Sequence, residues 1–508
     1  MSWARQVAAG ALLAMAVALG LLLGGALASP RVVARAVAAK AHRAPRPKAK
    51  PAVPLVTVTP DRTHPGPAIA AGFLGLSFEA TSLPQIARYS DRGNLVTMLR
   101  SLGPGVLRFG GVSADTRIAW TDSRTPRPAW ATGVVDADDM RELGALAAAS
   151  GWHVVLTVGI VHFEPLAAAR EVAAAKAALG EWLAGIEIGN EPDSYARHDM
   201  RLEPWTFTQY AEQVAAYRGA IEAAAPGIPL IGPDVSGSAA FETWGPGEAV
   251  DERPAQLTGH HYPLGCAQQP PPSIARLLSA PIHAKELGSL RRYVAISRRG
   301  GIPFRLDETN SVSCGGVAGI SDTFASALWA AGFLPQVLSA GAVGFNLHGN
   351  PGRCDGYTPV CAPDAAALSE GAFDAQPVWY VLLMLRDLVG ERPLPTVVVR
   401  SPRTTNVQAA VFAAAAGRLD LVLVDDDPPG SRPATLRLRV GAGASRGSVL
   451  ALSGESPAAL SGVTLGGREV APDGRWTPGR LPRVAVRSGV ATVRLAASSA
   501  ALVGIAPG

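Results

Sequence analysis

Between residues 70 and 390 the chain alternates short apolar runs rich in β-branched residues with Ala/Leu-rich stretches of helical period, and it does so eight times. No other feature restricts the fold as much. Repeated β-α units lay their strands side by side in a parallel sheet covered by the helices. The strand candidates are Phe73 to Glu79, Gly105 to Gly110, His153 to Gly159, Gly185 to Asn190, Pro229 to Pro233, Gln256 to Tyr262, Ile302 to Asp307 and Ala342 to His348. Helical patterns fall at Asp138 to Ala149, Leu166 to Leu179, Phe207 to Ala224, Ile282 to Ser297, Asp322 to Leu338 and Val378 to Val389. Eight units with one strand each predict a closed (β/α)8 TIM barrel over residues 70–392 rather than an open doubly wound sheet.

After Gly390 the texture changes to short alternating apolar/polar runs, Thr396 to Val399, Leu419 to Val424, Thr435 to Val440, Ser448 to Leu452, Arg483 to Val486 and Val490 to Leu495, separated by turn residues. This pattern predicts an appended C-terminal all-β sandwich over residues 393–508. Leu55 to Thr59 alternates in the same way, so residues 54–69 are expected to supply a strand that crosses over to join the sandwich.

The N-terminus reads differently. Arg5 precedes an uncharged apolar run of 22 residues, Val7 to Ala28, that ends in the small-x-small sequence Ala26-Leu27-Ala28. Residues 1–28 are expected to be an export signal or an uncleaved membrane anchor, and residues 29–53 a basic Ala/Pro-rich disordered linker. Residues 1–50 hold eight Lys/Arg and no acid, so a net charge of +5 for the chain becomes −3 for residues 51–508. The folded part therefore carries no electrostatic footprint for nucleic acid. With 48% hydrophobic and 17% charged residues the chain belongs among globular proteins, which excludes fibrous and disordered classes.

Four cysteines in an apparently exported chain point to disulfides. Three connectivities are possible, and four buried thiols are the alternative. Cys354 and Cys361 lie seven positions apart in a Gly/Pro-rich stretch suited to a local staple, which leaves Cys266 for Cys314. No CxxC pair suggests zinc.

Barrel enzymes carry their reacting groups at the carboxyl ends of the strands. Two carboxylates stand there: Glu191 after the fourth strand and Glu308 after the seventh. By strand alternation Phe304, Leu306 and Glu308 share a face, so the first two are expected to fill the barrel with Glu308 on top. The same count groups Glu187, Gly189 and Glu191. Two opposed carboxyls are what glycosidic bond cleavage needs, one protonated to donate to the leaving oxygen and one ionised to attack or to activate water. A separation of ~5 Å predicts retention of configuration and ~6.5 Å or more predicts inversion. The bland alternative for either residue is a helix cap or a surface ion pair.

The ordered set Gly75-Leu76-Ser77-Phe78-Glu79, Leu107-Arg108-Phe109-Gly110-Gly111, Gly189-Asn190-Glu191-Pro192-Asp193, His260-His261-Tyr262-Pro263 and Glu308-Thr309-Asn310-Ser311 resembles glycoside hydrolase family 79, the heparanase and β-glucuronidase family of the clan A retaining glycosidases. The resemblance runs over about residues 55–508. It implies a barrel with a β-sandwich, a retaining mechanism, a carbohydrate substrate and no cofactor. It also implies Glu191 as acid/base, Glu308 as nucleophile and Asn190 as donor to the sugar hydroxyl beside the reacting carbon. Alternation points Asn190 away from the face of Glu191, so a bulge or kink is required if both reach the sugar.

Further candidates come from the strand ends. Arg108 would keep Glu308 ionised, or pair structurally with Glu187, or both. Tyr262 is placed to orient the nucleophile, with a packed core tyrosine as the competing account. Glu79, Ser77, Asn346 and His348 are candidate sugar contacts. Trp120, Tyr195, Trp205, Trp244 and Tyr357 are candidate loop aromatics for stacking. The glucuronidases of the family carry Val-Tyr-Gly after the nucleophile; here Val312-Ser313-Cys314-Gly315-Gly316 lacks the tyrosine, which leaves Ser313 and the following amides for a carboxylate and leaves a neutral sugar open. The expected substrate-binding set is thus Asn190, Tyr262, Arg108, Glu79, Ser313 and Asn346.

Three rival readings compete with the glycosidase. A metal hydrolase would use His260, His261, His153 and Asp307, but adjacent histidines point to opposite strand faces. A serine hydrolase lacks its Gly-x-Ser-x-Gly elbow. A catalytically inactive surface glycan-binding protein would keep the scaffold without turnover. For the two-glutamate enzyme a bell-shaped pH profile centred on the acidic side of neutral is expected.

Overall fold

The computed structural model describes residues 53–507. Eight parallel strands close around an axis: β1 (Gly75–Glu79), β2 (Val106–Gly110), β3 (His153–Val158), β4 (Leu183–Ile188), β5 (Ile231–Val235), β6 (Gln256–His261), β7 (Phe304–Thr309) and β8 (Gly344–Gly349). Their hydrogen-bonded order is β4-β3-β2-β1-β8-β7-β6-β5. The β4/β5 seam is stitched by a single parallel bridge at Ile186 and Leu230, where the Ile186 amide donates to the Pro229 carbonyl at 2.9 Å. Each of the eight expected strands is present; β5 runs two residues later than the sequence pattern suggests, which carries Asp234 into the strand.

Val106, Val155 and Ile231 form a small apolar floor inside the barrel, and the interior above it is polar. On β7 the expected facing is reversed. Phe304 faces outward, where it stacks on Tyr293 and meets Phe241 edge-on among the surrounding helices. Arg305 bonds Asn346 and Asp307 approaches Arg108, both inside the barrel. The pairing register of β7 with both neighbours slips after Leu306. This irregularity lets Asp307 and Glu308, consecutive residues, both turn inward.

In the C-terminal module, Leu55–Pro60 lies between Thr396–Ser401, to which it pairs antiparallel, and Ala434–Arg439, to which it pairs parallel. Its Val56 and Val58 are fully buried in the sandwich core with Val411, Leu436, Leu438 and Val503. Two central strands, Val407–Ala413 and Ser499–Pro507, were not expected from the sequence. They are rich in Ala, and Ser499–Pro507 also holds a Gly, so they carry little of the β-branched signal.

The helix Phe324–Ala340 joins barrel and sandwich. Fourteen of its 17 residues are buried, and it packs on β8 on one side and on the sandwich strands Val407–Ala413 and Leu419–Asp425 on the other. A helix covered on both sides is apolar all round, as this one is. Among the described residues no helix is long and apolar enough to cross a membrane. The apolar run Val7 to Ala28 and the basic linker lie outside the described residues.

Candidate functional site

The barrel mouth opens into a cleft of about 630 Å³ lined by Glu79, Asn190, Glu191, Tyr262, Glu308, Ser313, His348 and Tyr357, among others. It is assembled from strand ends whose backbones leave regular geometry. Beyond β4, Gly189 has φ +80° and Glu191 φ +49°. A Cβ on Gly189 would lie 2.6 Å from the Tyr195 hydroxyl, so only glycine fits the kink. This turn brings Asn190 and Glu191 to the same cleft despite strand alternation. Asp115, fully buried, fixes it: its carboxylate accepts from the Asn190 amide (2.9 Å), the Ile160 amide (2.9 Å) and the Tyr195 hydroxyl (2.6 Å).

At the centre lies Arg108 on β2, fully buried. Its Nε donates to Glu187 (2.7 Å), Nη1 to Glu308 (2.8 Å) and Ser77 (3.0 Å), and Nη2 to Asp234 (2.7 Å) and Asn190 (3.0 Å). All five donors of the guanidinium are used. A charge this deep is tolerable only when every partner is in place. Gly110 makes the room, since a Cβ there would come within 2.7 Å of the guanidinium carbon.

Glu308 is gripped on both oxygens. Tyr262 Oη donates to Oε1 at 2.8 Å and Arg108 to Oε2 at 2.8 Å. Burial alone would raise its pKa, but His260, His348, Arg108 and Tyr262 outweigh burial and hold it well below the usual carboxylate range. Below it the balance reverses: burial pushes Glu187 up to about 8 against the pull of Arg108, and pushes Asp307 up to about 7 with help from Asp234. One carboxyl is thus kept ionised while two within reach of the same arginine hold their protons in the acidic range.

Glu191 is the more open of the pair, its side chain 29% exposed against 8% for Glu308. Its Oε1 lies 2.9 Å from Nδ1 of His260, whose Nε2 is 2.6 Å from Asp234. One carboxylate oxygen of Glu191, one of Glu308 and a His260 nitrogen all lie within 4.8 Å of one another. The two glutamates, 117 positions apart in sequence, therefore face each other across one cleft.

The same atoms, and those of Asp234, His260 and Asp307, are spaced closely enough to hold a cation. Both nitrogens of His260 are already engaged by carboxylates, and Arg108 already supplies positive charge to Glu308, Asp234 and Asp307. A metal there would compete with an arginine for the same oxygens. His261 turns the other way, toward Glu286 (3.7 Å) and the Phe333 ring.

The expected substrate-binding set divides in two. Asn190, Tyr262, Glu79 and Ser313 line the cleft. Arg108 and Asn346 do not. Arg108 has no donor left and no exposed surface, so it acts on Glu308 and Asn190 from beneath. Asn346 lies deeper still, accepting from Arg305 and donating to the Leu76 and Val106 carbonyls. Ser77 is likewise buried, bonded to Arg108 and His348. Of the aromatics, Tyr195 and Tyr357 reach the cleft. Trp120 is buried, and Trp244 belongs to the helix Ser238–Gly247, where it packs against Tyr210. Trp205 donates its Nε1 to the Pro192 carbonyl.

Disulfides join Cys266 to Cys314 and Cys354 to Cys361. The first ties the loops after β6 and β7, and Gly265, Ser313, Cys314 and Gly315 of those loops all line the cleft. Replacing both Cys266 and Cys314 by Ser is expected to cost about 2–4 kcal/mol of stability and to raise KM more than it lowers kcat. Denaturant unfolding and steady-state kinetics check the two halves.

No family model matches the chain. A β-glucuronidase of Aspergillus niger is 32% identical over 181 residues, which is 32% of this chain. The chain spans about a third of that relative's length (33%). A 4-O-α-L-rhamnosyl-β-D-glucuronidase from Fusarium oxysporum 12S, solved with Rha-GlcA, superposes with a TM-score of 0.68 at 21% identity over 88% of this chain and 99% of its own. The family 51 arabinofuranosidase of Xanthomonas axonopodis pv. citri gives 0.62 at 14% identity over 89% of this chain and all (100%) of its own. The fold is that of (β/α)8 glycosidases bearing a C-terminal β-sandwich.

Proposed function

We propose that the chain is an exported retaining glycoside hydrolase acting on β-glycosides, with Glu308 as nucleophile and Glu191 as general acid/base. The observation that carries the reading is the approach of the two carboxylates to within 4.8 Å, one gripped by Arg108 and Tyr262 and the other open to the cleft. That spacing favours attack by the carboxylate itself; an intervening water needs ~6.5 Å or more between the carboxyls. Glu308 forms a bond to the anomeric carbon as the glycosidic C–O bond breaks, and Glu191 gives its proton to the departing oxygen. Water then attacks the glycosyl ester, returning its proton to Glu191 and releasing Glu308. Asn190, held by Arg108 and Asp115, faces the same sugar. The two disulfides support the assignment to an oxidising compartment.

For the sugar, the β-glucuronide reading is favoured by the turn after Val312. Cys314, Gly315 and Gly316 follow one another at φ +62°, +87° and +87°. This left-handed turn lies in the loop whose Ser313, Cys314 and Gly315 line the cleft, where a sugar substituent such as a carboxylate would be met. Ser313, whose hydroxyl accepts from the Cys266 amide, stands beside it. Nitrophenyl β-glucuronide is expected to outpace the glucoside, xyloside and galactoside. Equal or better turnover of the glucoside would assign a neutral sugar, and silence on all four would favour a glycan-binding protein without turnover.

The depressed pKa of Glu308 alters the expected pH profile. A carboxyl held below its ordinary range stays ionised as the pH falls, so the acidic limb of the bell moves out of the working range. Activity is expected to stay level down to about pH 4, near the ordinary carboxylate pKa, and to decline only on the alkaline side. An ordinary acidic limb near that pH in kcat/KM would contradict the nucleophile assignment.

A further inference from the structure

Asp234 belongs to no motif that the sequence singles out, yet it touches Arg108, His260 and the backbone of Glu191. It is the penultimate residue of β5 and has φ +57°, a left-handed conformation costly for a residue with a side chain. Its backbone carbonyl accepts the amide of Glu191 at 2.9 Å across the barrel seam. Its side chain is split between two cations: Oδ2 accepts from Arg108 at 2.7 Å, and Oδ1 lies 2.6 Å from Nε2 of His260. The far nitrogen of that imidazole, Nδ1, lies 2.9 Å from Glu191 Oε1. Asp234 and His260 are fully buried, at 1% and 0% exposure, so water cannot replace either contact.

Resting on the glycosidase reading above, we propose that Asp234 is a positioning residue that acts through His260 to hold Glu191 with its acid proton on the oxygen facing the leaving group. When His260 is protonated, its Nε2–H donates to Asp234 and its Nδ1–H donates to Glu191 Oε1. The carbonyl-type oxygen of a carboxylic acid is the better acceptor, so this bond disfavours Oε1 as the seat of the acid proton. The proton is therefore biased toward Oε2, the oxygen that His260 does not hold. After the leaving group departs, the same bond holds the carboxylate in place to take a proton from water.

The groups facing His260 are Asp234, Glu191, Glu308 at 3.8 Å and Asp307, with Arg108 bonded to Asp234 and Glu308 and Tyr293 donating to the His260 carbonyl. Burial would lower its pKa, but Glu308 and Asp234 outweigh burial and raise it well above the ordinary histidine range. Replacing Asp234 with Asn removes one of these anions, so the imidazole gives up its proton at lower pH.

The test compares aryl glycosides of one accepted sugar, from 2,4-dinitrophenyl to unsubstituted phenyl, on wild type and Asp234→Asn. A dinitrophenolate leaves without help from an acid and a phenolate does not. The expected loss in kcat/KM is about 100-fold or more for the phenyl glycoside and about 10-fold or less for the dinitrophenyl one, with the alkaline limb of the phenyl profile moved to lower pH. Equal losses on both substrates would overturn the proposal, because they place the fault at Glu308 or in the fold. No loss would overturn it too. Labelling of Glu308 by a 2-deoxy-2-fluoro glycoside reports whether the nucleophile survives. If Asp234→Asn does not fold, His260→Gln takes the same test with the same two outcomes. A wild type inert toward every aryl glycoside defeats the glycosidase reading instead, and is seen before any variant is made.

Discussion

Glu308→Gln is expected to lower kcat on an aryl glycoside by on the order of 10⁴-fold or more, with the fold intact. The amide keeps the shape of the side chain and still accepts from Tyr262 or Arg108 through its oxygen, but it has no lone pair fit to attack the anomeric carbon. It also removes one of the anions opposite Arg108 and His260, so stability should change far less than rate. Kinetics on purified variant, with circular dichroism as the control for folding, checks this. Undiminished hydrolysis would remove Glu308 from the mechanism.

Arg108→Met is expected to be the most destabilising single change in the barrel, costing about 3–5 kcal/mol near neutral pH. Methionine keeps much of the stem but leaves Asp234 and Glu308 without the cation they share, and Glu187 without its donor. The penalty should shrink with acidification. In the native protein Glu308 has a depressed pKa, so its contribution to stability is present above its unfolded pKa of about 4.5 and lost only as the pH falls through the folded value. In the variant that contribution is missing, and its carboxyls take up protons in the folded state as the pH falls. Denaturant midpoints at several pH values should therefore converge toward the acid side. A gap that stays constant with pH would mean that lost packing, not uncompensated charge, dominates.

How far the sequence discloses this site can be argued from particular residues. The eight barrel strands were legible as short apolar runs recurring between helical patterns, and the candidate pair was legible because Glu191 and Glu308 each stand at the carboxyl end of such a run. Depth was not legible. Alternation gives the face of a residue but not its height in the barrel, so Arg108 and Asn346 were read as sugar contacts when they belong to the layers beneath the mouth. Facing itself failed on β7, because the slip after Leu306 leaves no mark in the sequence. Asp234 was missed for a smaller reason. The apolar pattern of β5 ends at Pro233, one residue short of the acid, whereas an aspartate directly after a Gly-Pro inside a buried strand was itself a signal. In the sandwich, Val407–Ala413 and Ser499–Pro507 were hidden by alanine, which is neutral to strand formation and acquires its place only from the strands on either side.

The strand Leu55–Pro60 also bears on how the molecule is made. It leaves the ribosome before any barrel strand, yet its two neighbours, Thr396–Ser401 and Ala434–Arg439, are among the later segments to be synthesised. Until then it is a lone apolar ribbon while the barrel assembles beside it, the kind of long-range pairing that slows folding and invites wrong partners. The two halves of the protein are consequently threaded through each other in time as well as in space: the sandwich, completed after the barrel, captures a strand made before it.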